Sequence, residues 1–412
     1  MKKIAIIYIL IFCFFGSKGQ KQIQFSEPEK LNSHINSEAE EGFPFLSMDG
    51  KSLYYTRTFH PLNVGGKLAG QDIWFSQGIG TDNWTASIND FPLLNNKNNN
   101  AIVGQSRDGK TLYLLNVYTS GNFMEYGISS WQIDSDEQPV KMEIPNLFIS
   151  GKYYGFYMHP DGEVLLISAE LERSKGQEDI YITIKDTNGK WQKPINVGGA
   201  INSSGFEISP FITDDLQTIY FTSSGRGGKG GADIFMSTKR GKKWNSWRPA
   251  KNLGKPINSK GFDAYFMIRN GDAYFSSNRD ADHSDIFYTH IITKEELESL
   301  LPQPQTVYFG LNSYMISGSS KTILDQIVKL MSENENLHVD LSGYTCKIGN
   351  ELDNLNLAEM RANSVSDYLQ IYGIDDDRIK QQTLGNKEAM KFDDDENIQK
   401  SFRKVIINFK YM

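Results

Sequence analysis

The sequence predicts a multidomain chain of two unlike parts, an all-β propeller of five blades followed by a two-layer α+β domain. Three observations carry this expectation. An Asp-Ile-aromatic tripeptide recurs through the first 290 residues, a turn-plus-strand signal accompanies each copy, and beyond residue 305 the pattern changes to alternating strand and helix periods.

The chain opens with MKKIAIIYILIFCFFGSKGQ, in which Lys2 and Lys3 precede an unbroken apolar run from Ile4 to Phe15 and small residues follow at Ser17 and Gly19. This is the pattern of a secretory signal peptide over 1–19, cut before Gln20; the run is too short to cross a bilayer as a helix. Lipid attachment at Cys13 is the alternative, disfavoured by the bulky Phe12 before it. Loss of Lys2, Lys3 and Lys18 takes the formal net charge from −7 to −10 and leaves Cys346 as the single cysteine, so no internal disulfide is expected. The acidic balance argues against a nucleic-acid partner, and no later apolar run reaches the length of a membrane span.

The tripeptide stands at Asp72-Ile73-Trp74, Asp179-Ile180-Tyr181, Asp233-Ile234-Phe235 and Asp285-Ile286-Phe287, the copies being 107, 54 and 52 residues apart. The first gap is twice the period, and Tyr126-Gly127-Ile128 lies where the missing copy belongs, which makes five. Each copy follows a turn and a β-rich run: SMDGKSLYYT from Ser47, SRDGKTLYLL from Ser106, HPDGEVLLIS from His159, TDDLQTIYFT from Thr213 and IRNGDAYFSS from Ile268. A third landmark, WQKPINVGGAINSSGF from Trp191, returns as WRPAKNLGKPINSKGF from Trp247 and, in part, as FSEPEKLNSHINSEAEEGFPF from Phe25. Nothing like it follows the last tripeptide, so the segment near Phe25 is expected to complete the last blade and cover an edge that would otherwise be free. The repeat over 20–292 resembles the WD-like repeat of the TolB propeller family.

Candidate chemistry within the repeat is sparse. The recurrent aspartates suit structural turns. The loop SSGRGGKGGADIF from Ser223, with Arg226 and Lys229, leads into a strand and lacks the helix N-terminus of a phosphate cradle. Asp280, Asp282 and Asp285 alternate as calcium ligands do, without the glycine and distal glutamate of a helix-loop-helix site. The six histidines are scattered without ligand spacing, so no metal, cofactor or catalytic residue is assigned.

Residues 293–305, TKEELESLLPQPQ, read as a short helix and linker. The order over 306–412 is then β-α-β-α-β-β: TVYFG from Thr306, a helix from Ser319 with Ile323, Ile327, Leu330 and Met331 at helical spacing, HVDLSGYT from His338, a helix carrying Leu357, Met360, Val365 and Leu369 that ends at Gly373, and two closing strands. Val307-Tyr308-Phe309, Gly343-Tyr344-Thr345, Asn354, Leu357-Ala358-Glu359, Arg361-Ala362 and Arg403-Lys404-Val405 together resemble the OmpA-like peptidoglycan-binding domain. The resemblance implies a two-layer sandwich that holds the diaminopimelate of a peptidoglycan stem peptide, an aspartate of the loop pairing with the ammonium and an arginine of the next helix clamping the carboxylate. Carried over, the ligand-binding set is Thr345, Cys346, Asn354, Arg361 and Arg403, and Cys346 stands where the family has its aspartate. A thiol is mostly protonated at neutral pH and does not replace that charge.

Taken together, the resemblances imply a non-enzymatic, exported protein of the periplasm, associated with outer membrane and cell wall. One domain contacts peptidoglycan and the other docks an unidentified envelope protein. Similar chains are found in Bacteroidetes-type bacteria, some beside the type IX secretion machinery, and the resemblance implies a link to envelope integrity or to that secretion. The alternatives are a carbohydrate-active propeller enzyme tethered to the wall and a protein-interaction module that has lost wall binding.

Overall fold

The computed structural model describes residues 24–78, 83–118, 125–293, 296, 299, 301–334 and 336–411. The expected signal peptide over 1–19 lies outside them, as does most of the expected helix within 293–305. The chain is mostly β and divides into two compact units, Met1–Ile291 and Ile292–Met412, which places 293–305 with the second.

The first unit consists of five small antiparallel sheets. Strand β1 (Glu29–Lys30) precedes the first sheet, built from β2 (Glu40–Leu46), β3 (Ser52–Thr58) and β4 (Asp72–Gln77). The second sheet holds β5 (Ile102–Gln105), β6 (Thr111–Val117), β7 (Glu125–Gln132) and β8 (Val140–Lys141). The third holds β9 (Tyr154–Met158), β10 (Val164–Ala169), β11 (Asp179–Ile184) and β12 (Ile195–Asn196). β13 (Glu207–Ile212), β14 (Thr218–Ser223), β15 (Asp233–Thr238) and β16 (Lys251–Asn252) make the fourth, and β17 (Asp263–Arg269), β18 (Asp272–Ser277) and β19 (Asp285–His290) the fifth.

The Asp-Gly signals become the hairpins between the first two strands of a sheet. Gly50, Gly109 and Gly162 sit at φ +72°, +76° and +68°, a left-handed conformation that glycine adopts without a Cβ clash. The N-terminal segment completes the fifth sheet as the landmark copy predicts: β1 pairs antiparallel with β19, Glu29 opposite Tyr288, and Phe25 bridges Ile291. The leading strands β2, β5, β9, β13 and β17 neighbour one another in chain order, and β17 also neighbours β2.

Two side-chain devices hold successive sheets together. An asparagine straddles the isoleucine of the preceding Asp-Ile-aromatic tripeptide, accepting its N–H and donating to its carbonyl. Asn95 does so on Ile73 at 2.8 and 3.0 Å, Asn202 on Ile180 at 2.8 and 2.9 Å, Asn258 on Ile234 at 2.8 Å each way, and Asn36 on Ile286 at 2.7 and 3.0 Å. A buried acid at the start of the leading strand ties down the loop before it: Glu41 accepts from Ser37, Glu207 from Ser203 and Asp263 from Ser259, each through the serine hydroxyl and backbone N–H. The tripeptide aspartates are structural too. Asp72, Asp179 and Asp233 accept the N–H of Val64, Lys175 and Lys229 at 2.7–2.9 Å, and Asp285 pairs with Lys30 at 2.7 Å. No group of three or more metal-ligating side chains occurs among the described residues.

In the second unit β20 (Gln305–Tyr308), β21 (Leu337–Tyr344), β22 (Ile379–Gly385) and β23 (Lys404–Tyr411) form one sheet in the order β20-β23-β21-β22, with β21 and β22 parallel. Helices α1 (Gly318–Glu333) and α2 (Glu351–Ile371) bury Leu324, Ile327 and Met331, and Val365 and Leu369, against Val339, Leu341, Val405 and Ile407 of the sheet. Short α3 (Glu396–Lys400) precedes β23. None of these helices is long and apolar enough to cross a membrane.

Candidate functional site

The site the resemblance points to is the loop 345–350, between β21 and the N-terminus of α2. Its position depends on Gly343, where an added Cβ would lie 2.3 Å from the Ala358 carbonyl oxygen. Only glycine lets strand and helix approach this closely, and the approach brings the middle of α2 over the end of β21. Asn350 caps the helix, its side chain accepting from the Asp353 N–H at 2.9 Å. The loop is then pinned from both sides. Thr345 N–H donates to the Gly385 carbonyl at 2.9 Å, Lys347 N–H to Gln399 Oε1 at 3.0 Å, and Asn354 Nδ2 to the Ile348 carbonyl at 3.1 Å.

Arg361 is 1% exposed and is the largest fully buried side chain among the described residues. Its guanidinium donates to three backbone carbonyls from separate segments: Nε to Ser313, Nη1 to Tyr344 and Nη2 to Gly310, each at 2.9 Å. It also lies over the Phe309 ring, 5.4 Å from its centroid. A guanidinium carries five N–H donors, so about two stay unused. No acid stands within ion-pair distance of it among the described residues. Burial pushes its pKa down to about 10; nearby Cys346 opposes that shift and nearby Arg403 adds to it. Arg403 is 6% exposed, and its Nε has no hydrogen-bond partner. Thr345 Oγ1 is likewise buried without a partner, and Cys346, 5% exposed, is a free thiol.

The structure therefore gathers Thr345, Cys346, Arg361 and Arg403 at one end of the sheet. It gives Asn354 a different task, holding the loop by its Ile348 carbonyl. Two buried arginines stand by two loop residues with spare polar capacity, Thr345 and Cys346, where the family's aspartate is absent, an arrangement suited to an anionic group such as a carboxylate. Sequence reasoning missed the segment 310–313, whose carbonyls hold Arg361, and Gln399, which latches the loop. Gly310 and Asn312, the latter at φ +49°, are turn signals that mark the first; nothing local marks the second.

A family model described as the OmpA family matches residues 308–403. The peptidoglycan-associated lipoprotein of Buchnera aphidicola subsp. Baizongia pistaciae (strain Bp) is 27% identical over 114 residues, 27% of this chain, and the match spans 65% of that relative. The crystal structure of the peptidoglycan-associated lipoprotein from Burkholderia pseudomallei is 24% identical, covers 26% of this chain and 90% of its own, and has a TM-score of 0.25. A structure titled glycoside hydrolase covers 65% of this chain and 92% of its own at 12% identity and a TM-score of 0.42. The second unit thus carries an OmpA-like domain, similar to that of peptidoglycan-associated lipoproteins of the cell envelope.

Proposed function

We propose that the protein is a non-enzymatic adaptor of the cell envelope, working in the periplasm. Its OmpA-like domain associates with peptidoglycan, and its first unit, a five-bladed propeller closed through β1, docks a protein partner. The cyclic neighbour relation of β2, β5, β9, β13 and β17 supports the propeller. The observation that carries the wall-binding reading is Arg361, a buried cation held in place by three carbonyls and lacking any acidic partner among the described residues. Its unused donors suit the carboxylate of a stem-peptide diaminopimelate, and Arg403 adds charge beside them.

The site offers cations to a zwitterion and no anion for its ammonium. Native binding is therefore weak, and Cys346→Asp restores the missing pair. A partly buried charge-assisted bond is worth roughly 1.5–3 kcal/mol, so the variant gains at least about tenfold in affinity. Calorimetric titration of the full chain and of Cys346→Asp with a diaminopimelate-containing stem peptide measures this. If the variant binds no better than the native protein, the domain has lost its wall site and serves protein interaction instead.

A further inference from the structure

The first unit contains a chamber of about 600 Å³, framed by residues of β2, β5, β9, β13 and β17 and their flanking loops. We infer that this chamber binds a neutral oligosaccharide of about two or three rings. The reading concerns the first unit only and is independent of the stem-peptide site.

The chamber's walls are flat aromatic surfaces supplied in pairs. Phe43 and Tyr265 stack with centroids 4.1 Å apart and planes tilted by 35°, and Phe206 and Phe262 lie 6.2 Å apart at 36°. Phe43 and Tyr265 reach these places through an unusual backbone. They sit at φ +49° and +56°, each within an irregularity of the strand pairing, Gly42/Phe45 in β2 and Ala264/Met267 in β17. A bulge of this kind re-aims one side chain, and bulky residues rarely adopt positive φ. Both rings are half-buried, so only the surface each turns away from the other, toward the chamber, remains available.

The chamber is not uniformly apolar. It adjoins a second space of about 350 Å³, with which it shares Phe43, Thr58, Gln71, Phe262 and Tyr265 and which is also lined by Glu40, Asn278 and Asp282. A ligand in the joined space meets aromatic faces on one side and hydroxyl, carboxamide and carboxylate groups on the other. A pyranose ring has that same division, apolar C–H faces and a hydroxyl edge, and a carboxamide both donates and accepts as a hydroxyl does. Glu40, Glu178 and Asp282 outnumber Lys152, the cation of the chamber lining, and so disfavour phosphorylated or carboxylated ligands by repulsion.

Gly155 provides the control. It lies on β9 in the chamber lining, and a Cβ built there meets nothing within 4 Å, so a side chain at this position starts into open space and Gly155→Trp is directed at filling the chamber. The experiment is calorimetric titration of the full chain with chitotriose and with cellotriose, repeated with Phe206→Ala and Gly155→Trp. The expected result is binding of at least one trisaccharide by the native chain, at least about tenfold weaker in Phe206→Ala and lost in Gly155→Trp with thermal unfolding unchanged. Three results overturn the proposal: no heat from either sugar at about 10 mM, binding that survives both variants, or binding of an acetylated Phe-Leu-Phe peptide where neither sugar binds.

Discussion

The two units differ in how they answer most of their buried charge. In the first, the buried acids at the heads of β2, β13 and β17 are answered by the chain itself. Glu41 has Ser37 and Arg57, Glu207 has Ser203 and Ser223, and Asp263 has Ser259, Ser277 and Arg279. In the second, Arg361 and Arg403 are buried at one end of a sheet with no acidic partner among the described residues. Burying a charge without an opposite charge is costly, so a protein that does so twice in one place has a reason beyond its own stability. The first unit has one such arginine as well, Arg269 of β17, buried without an acidic partner among the described residues, but it stands alone, donates to the Leu46 carbonyl and lies over the Phe45 ring. Matched acids in the repeat thus mark structure, whereas two unmatched arginines together at the end of a sheet mark a site.

The largest expected effect tests whether the first unit is self-sufficient. Deleting residues 20–34 removes β1, the Lys30–Asp285 ion pair and two core side chains, Phe25 and Leu31, each 7% exposed. At about 1.5–3 kcal/mol per buried side chain, with the strand pairing added, the unit loses about 5 kcal/mol, or at least about 10 °C in Tm. All six tryptophans lie in this unit, so their fluorescence follows its unfolding alone. The rate of Cys346 labelling reports separately on the second unit and stays unchanged. An unaltered tryptophan transition would show that the first unit does not close through its N-terminal segment.

The next test asks what Arg361 does when no ligand is present. Arg361→Met leaves the carbonyls of Gly310, Ser313 and Tyr344 without their donor. At about 1 kcal/mol each, the second unit loses about 3 kcal/mol and Cys346 labels faster, while tryptophan fluorescence is unmoved. Equal stability of native and variant protein would mean that Arg361 is held for a ligand alone, making the contrast between the units sharper still.

These partners also show how far the sequence was legible. The hairpins were readable because a left-handed residue is usually glycine, as at Gly50, Gly109 and Gly162. The repeat was readable because Asp-Ile-aromatic recurs at a fixed period, and three of its four asparagine clamps lay within the INS tripeptides at Ile35, Ile201 and Ile257, the fourth, Asn95, standing in Leu94-Asn95-Asn96. The bulges at Phe43, Ser209 and Tyr265 were not readable, because the residues there are not the glycine or asparagine that usually announces a positive φ. For the second unit, the resemblance to the OmpA-like domain placed Arg361 by the loop. Its three carbonyl partners come from positions 310, 313 and 344, and no local pattern announces a contact between segments so far apart.

The smallest expected effect concerns Glu41, and it decides whether a matched charge in the first unit is a charge at all. Burial raises its pKa to about 7, although the Ser37 hydrogen bonds and Arg57 pull the other way. The folded state therefore binds a proton more tightly than the unfolded chain, where a glutamate titrates near 4.5. Stability from this group is full below the unfolded value and is lost as pH rises through the folded one, by up to ~1.4 kcal/mol per pH unit in between. Glu41→Gln removes the titration and is tolerated. Arg57 still donates to the Ile35 carbonyl at 2.8 Å and keeps its place over the Trp74 ring, 4.1 Å from the centroid. Urea unfolding of both proteins between pH 4.5 and 7.5, followed by tryptophan fluorescence, gives the difference directly. The native chain should lose roughly 2 kcal/mol relative to the variant as pH rises across that range. A flat difference would mean that Arg57 overcomes burial and keeps Glu41 ionised, making the pair a true buried ion pair. The expected slope means that the first unit answers its buried acid partly by neutralising it, a remedy unavailable to an arginine whose pKa stays near 10, as that of Arg361 does.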